Sequence, residues 1–153
     1  METKYKTLED VRRFLDKVPM INCGGCGISA LAMYRWLKKN FPEQASKVIF
    51  HFFHRDRESF ENNESLIKNN AYNENNILIP AHIGFQIKNL TKIIDSEKVV
   101  KKSRYGYQLD FDSEHILMYA INKLCGWNDM FNREQSVPVI AKELGIDLSD
   151  VLI

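Results

Sequence analysis

Long hydrophobic runs are missing from this 153-residue chain: none approaches the roughly 20 apolar residues that a bilayer-spanning helix needs. The opening residues, METKYKTLEDVRRF, also lack the apolar core of a signal peptide. Charge of one sign is equally scarce. With 21 Lys and Arg against 20 Asp and Glu, the net charge is +1, so there is no global pull toward nucleic acid or an anionic membrane. Cysteine is sparse too: there are three, an odd number, which points to reduced thiols rather than a disulfide framework. The expectation is a cytoplasmic protein with neither nucleic acid nor membrane as a partner. No internal repeat and no linker-like stretch interrupts the chain, so residues 1–153 are expected to form one domain. At that length, roughly two-thirds of the unfolded surface can be buried.

What is present reads as alternating helix and strand signals. Thr7 followed by Asp10 can cap a helix whose apolar stripe is Leu8, Val11, Phe14, Leu15 and Val18, and Pro19 ends it. A second helix is predicted from Cys26 to Asn40. Its apolar residues wrap around much of the circumference, which suits a central position. KVIFHFF, residues 47–53, reads as a strand buried on both faces. The polar, Asn-rich segment Arg55–Asn76 is long for a loop in a small domain, so a short helix, a mobile lid over the site, or both are expected there. ILIPAHIGFQI, TKIID and SRYGYQLDF follow as predicted strands. Ser113 then starts a helix that Gly126 can stop, and PVIAKEL before Gly145 makes another. The stretch VIAKELGIDLSDVLI carries no basic cluster, so it reads as a helix–turn–short-helix packing unit and not a DNA reader. Helices bracketing a run of strands predict an α+β domain.

The chemistry gathers around INCGGCGISALA, where Cys23 and Cys26 lie three apart at the start of the second helix. As half of a zinc site, the pair would need His51 and His54, but on a strand that spacing points the two imidazoles to opposite faces. As a thiol–disulfide pair, Cys23-Gly-Gly-Cys26 is similar to the thioredoxin and glutaredoxin motif, with Cys23 as the attacking thiol; here a helix, not a strand, precedes it. As a hydrolytic nucleophile, Cys26 would gain from the helix dipole and need an imidazole beside it. Backbone amides at the helix start would then serve a developing oxyanion, and the flanking glycines would let a substrate carbonyl approach closely.

Elimination singles out one histidine. His51 lies in an apolar run and reads as a satisfied core residue, His54 borders a polar loop and reads as solvated, and His115 reads as a surface residue. His82 opens a strand. If Lys88 and Asn89 form a two-residue turn, His82 directly opposes Asp95. If Asn89 and Leu90 form it, Asp95 opposes Gly84 and becomes a diagonal neighbour of His82 on the same face. A one-residue slip separates the pair onto opposite faces. All three registers stay open at this level. The aromatic set Tyr105, Tyr107 and Phe111 reads as core or groove wall.

A cysteine at the start of a buried helix, a histidine opening a strand and an aspartate ending the next strand together resemble the papain-like cysteine hydrolases. CGGCGISALA is similar to the C-G-[SA]-C-[WY] signature of the papain family proper. The spacing is closer to the smaller members, including the transglutaminase-like and amidase branches. The resemblance implies a papain-like fold: N-terminal helices, one of them central and starting at the nucleophile, a small antiparallel sheet, and C-terminal helices. It implies Cys26 as nucleophile, His82 as base and acid, Asp95 as orienter, no cofactor, and a peptide or other amide-containing substrate. Two departures stand out: Gly27 replaces the family's aromatic, and Met20 stands where the family keeps an oxyanion glutamine, leaving Asn22 and Gly25 as candidates for that role. The competing expectations are the Cys23–Cys26 oxidoreductase, a zinc-stabilised interaction module, and a catalytically silent member of the fold.

Overall fold

The structure, a computed structural model, describes residues 4–22, 24–73, 75–101, 105–124 and 130–151. Helix α1 is Leu8–Asp16, opened by the expected capping box: Thr7 Oγ1 accepts from the Asp10 amide at 3.2 Å, and Asp10 Oδ2 accepts from the Thr7 amide at 3.0 Å. Helix α2 is Cys26–Asn40, α3 is Pro42–Ala45 and strand β1 is Val48–His54. Helix α4, Arg57–Lys68, occupies most of the polar segment, and strand β2 follows as His82–Ile87. Strand β3 is Tyr107–Phe111, α5 is Glu114–Leu124 and α6 is Arg133–Leu144. Among the described residues this makes an α+β domain of six helices and one three-stranded sheet. No described helix is long and apolar enough to cross a membrane.

The sheet order is β2-β1-β3, antiparallel throughout. Alternation sorts its residues cleanly. Val48, Phe50 and Phe52 of β1, Ile83, Phe85 and Ile87 of β2, and Leu109 and Phe111 of β3 share one face and join the main core. Helix α2 covers that face; Ile28, Leu31, Met33, Trp36 and Leu37 are each at most 1% exposed, as its all-round apolarity demands. The opposite face carries His51 and Phe53 of β1, His82, Gly84 and Gln86 of β2, and Gln108 and Asp110 of β3.

Several expectations needed correction. TKIID forms no strand, because Asp95 turns the chain back on itself: its Oδ1 accepts from the amides of Glu97 and Lys98 at 2.8 and 3.0 Å, and only Ile94 pairs with β2. The strand predicted from Ile77 begins at His82, and the one predicted from Ser103 at Tyr107; Ser103 and Gly126 lie outside the described residues. Helix α6 starts at Arg133 and not at Pro138, since Asn132 caps it by accepting from the Gln135 amide at 3.0 Å. After Gly145, in the left-handed conformation, the described residues form turns and no second helix. His54 is not solvated. It is 1% exposed, edge-on to Phe52 and Phe60, and burial holds its imidazole below the ordinary value despite the nearby Asp56.

Helix α4 is anchored rather than loose. Asn63, fully buried, donates to Leu78 O at 2.6 Å and accepts from the Leu78 amide at 3.0 Å, tying the helix to the segment before β2.

Candidate active site

The start of α2 is built by close approach. At Gly25 a side chain would meet Ile21 O at 2.5 Å and the Phe131 ring at 3.0 Å, and at Gly27 it would meet Ile121 Cγ1 at 2.8 Å and Ile83 Cδ1 at 3.1 Å. Both glycines therefore serve packing of the helix start against the loop, α5 and β2, and neither opens a path for a substrate on that side. A side chain at position 27 has no room between Ile121 and Ile83. Cys26, first residue of α2 and 9% exposed, is thereby seated near His82 at the start of β2. Its helix has Gly25 as N-cap with no side-chain cap, so the leading amides are not capped by a side chain.

His82 is the first residue of β2, an edge strand. Its Nε2 lies 2.8 Å from Asp95 Oδ2; a carboxylate can only accept, so Nε2–H is the donor. Cys26 is the ring's other neighbour and is among the groups that favour the His82 cation; with Nε2 engaged by Asp95, Nδ1 is the nitrogen left for the sulfur. The side chains of His82 and Asp95 are each 11% exposed. Burial works against the His82 cation, but the hydrogen bond to Asp95 and the nearness of Cys26, with the charges of both, outweigh it and raise the imidazole from 6.5 to about 10. Burial likewise works against the Asp95 carboxylate, and the His82 hydrogen bond together with the two turn amides holds it below the ordinary value.

The register that joins the pair is the second of the three open from sequence. Phe85 N and O bond Ile94 O and N at 2.8 and 2.7 Å, which sets Asp95 beside Gly84 and diagonal to His82. Asn89, at φ 68°, makes the turn, and Ile87 O accepts from the Leu90 and Thr91 amides.

Tyr105 lies parallel to the His82 ring, centroids 5.9 Å apart and planes 4° apart, and Phe53 packs at 6.3 Å, so the imidazole sits in an aromatic corner. A cleft of about 460 Å³ opens beside it, walled by Asn22, His82, Asp95, Tyr105 and the stretch from Glu97 to Lys101. Asn22 Oδ1 accepts from Ser96 Oγ at 2.9 Å, which commits the oxygen end of that amide and leaves Nδ2 as its donor end. No residue of α4 lines this cleft, so the expected lid is not the segment that shapes it; residues 97–101 do that.

Of the alternatives, Cys23 and Cys125 lie outside the described residues. His51 and His54 point to opposite sides of β1, His51 to Asp110 and Gln86, His54 to Asn63. Among the described residues no cluster of three His, Cys, Asp or Glu could hold a metal ion. Ser96 and Arg12 escaped the sequence reading; Arg12 had a signal, since it occupies the i+4 place in the stripe Leu8, Val11, Leu15.

What the described residues define is an α+β domain with a cysteine–histidine–aspartate chain at a helix start. No family model, no curated protein and no solved structure matches the sequence or the fold.

Proposed function

We propose that the protein is a papain-like cysteine hydrolase or acyl transferase acting on amide, isopeptide or thioester bonds. One observation carries the reading: His82 lies between Asp95, at 2.8 Å, and the sulfur of Cys26 at the head of the central helix. Taken as nucleophile, base and orienter, these three residues support a reaction by covalent acyl transfer.

In the proposed reaction the Cys26 thiolate, paired with the His82 cation, attacks the carbonyl carbon and forms a C–S bond. The carbonyl electron pair moves onto oxygen, within reach of the uncapped amides at the start of α2 and of Asn22 Nδ2. As the tetrahedral intermediate collapses, the C–N or C–S bond to the leaving group breaks and Nδ1–H of His82 delivers its proton to that group. Neutral His82 then takes a proton from water, or from an amine, as that molecule attacks the acyl-enzyme. The acyl–sulfur bond breaks and the ion pair is restored. Asp95 keeps the Nε2–H tautomer throughout and does not itself exchange the proton.

The test is the pH dependence of alkylation at Cys26, read site by site by mass spectrometry in the wild type and in His82→Ala. Cys26 is expected to react rapidly at neutral pH in the wild type and to slow by roughly a hundredfold there without His82. Slow alkylation, unchanged by His82→Ala, would sink the reading; faster reaction at Cys23 than at Cys26 would favour the oxidoreductase instead.

A further inference from the structure

We propose that Arg12 of α1 is the positioning residue that sets Asp95, and through it His82, against Cys26; this rests on the hydrolase reading above. Arg12 is 7% exposed although it sits on a helix that otherwise presents Val11 and Leu15, both fully buried, to the core. A guanidinium is costly to bury unless its donors are used, and a helix needing only to pack would carry an apolar residue in that slot.

Its donors are used from two sides. Nε and Nη2 grip the Glu9 carboxylate at 2.9 and 2.7 Å, while Nη1 donates to Ser96 O at 2.7 Å and also to Glu97 O. The amides of Glu97 and Lys98 are the two that donate to Asp95 Oδ1. Ser96 O and the Glu97 amide belong to one peptide unit, and Glu97 O and the Lys98 amide to the next. Two successive peptide planes are thus each held at the oxygen by Arg12 and at the nitrogen by Asp95. A cation on the carbonyls polarises both amides toward the carboxylate and stops either plane from rotating. With Oδ1 fixed in this way, Oδ2 is left aimed at His82 Nε2. The middle residue of the same turn, Ser96, also donates to Asn22, so the clamp reaches the candidate oxyanion donor as well. Lysine cannot reproduce this planar fork, which is why the residue has to be arginine.

The test is a double-mutant cycle on Cys26 alkylation against pH, using wild type, Arg12→Met, Arg12→Lys, Asp95→Asn and Arg12→Met/Asp95→Asn, with the folding of each checked by its cooperative thermal transition. Arg12→Met is expected to slow Cys26 at neutral pH by about tenfold to a hundredfold, the scale of loss that a small misplacement of a reacting group produces. Its pH profile should move in the same direction as that of Asp95→Asn, Arg12→Lys should recover only part of the rate, and the Arg12 effect should vanish in the Asp95→Asn background. A wild-type profile in folded Arg12→Met, or an undiminished Arg12 effect on top of Asp95→Asn, would overturn the proposal. If Arg12→Met does not fold, Glu9→Gln, which loosens the exposed side of the fork, replaces it in the cycle with the same two outcomes. Dependence of Cys26 on His82 and Asp95 but not on Arg12 removes this inference alone, whereas independence from His82 removes the hydrolase reading.

Discussion

Two histidine–aspartate pairs stand on the same face of the sheet, and only one of them has the makings of a catalytic site. His51 Nδ1 lies 2.6 Å from Asp110 Oδ1, closer than the 2.8 Å of His82 and Asp95, and His51 is the more buried, at 2% against 9%. The difference lies in the other nitrogen of each ring. His51 Nε2 spends itself on Gln86 Oε1 at 2.9 Å, and Gln108 closes the network by donating to Asp110. His82 faces a sulfur. The carboxylates differ as well: the Asp110 side chain is 56% exposed, whereas Asp95 is 11% exposed and locked by its own turn. A short His–Asp contact is a structural motif by default; a third group of the right chemistry, and a carboxylate that cannot wander, are what turn it into a device.

That contrast can be broken deliberately. The largest effect is expected from exchanging the two aspartates for asparagine. Asp95→Asn should slow Cys26 alkylation at neutral pH by roughly a hundredfold, since the orienting acceptor is lost, and Asp110→Asn should leave the rate unchanged.

A smaller but distinctive signature is in stability against pH. The His82 imidazole is raised from 6.5 to about 10, so its contribution is complete below 6.5 and is lost as the pH climbs through about 10. Asp95 is held below its ordinary 3.8, so its contribution is complete above that value and disappears as the pH falls through the lowered one. Urea titrations across the alkaline limb should therefore show stability falling from pH 6.5 toward 10 in the wild type, and a flatter limb in His82→Gln.

The smallest effects belong to the other pair and touch folding alone. His51→Ala should cost about 1–3 kcal/mol by taking the hydrogen-bond partner from Gln86 Oε1 and opening a space between β2 and β3. Asp110→Asn should cost under ~1 kcal/mol, because that carboxylate is largely in water. Neither should move the pH profile of Cys26, and a shift in that profile would mean that the two pairs are coupled.

Much of this contrast was legible in the chain. The capping residues Thr7 and Asp10, the span of α2 from Cys26 to Asn40 and the satisfied character of His51 all depend on local pattern: periodicity, caps and the alternation of a strand. Where the reading failed, a side chain had overridden the pattern. Asp95 captured two amides and ended a strand that TKIID by itself suggests. Asn132 capped a helix early enough to enclose Pro138, and Phe60 and Asn63 of α4 folded over His54. Arg12 was visible as a charge in an apolar slot, yet its partners, Ser96 and Glu97, lie more than 80 residues away and carry no mark in their own sequence.

By itself the sequence determined the α+β composition, the buried helix with a cysteine at its head, and a histidine and an aspartate close enough along the chain to share a hairpin. Local interactions set these, and they need only neighbours within a few residues. Tertiary structure decided which register the hairpin took, that the imidazole of His82 came to stand beside the sulfur, and that a helix from the N-terminal end would brace the acid. Those outcomes depend on contacts between distant segments, where packing around Gly27 and the satisfaction of one buried guanidinium exclude the alternatives that the chain alone leaves open.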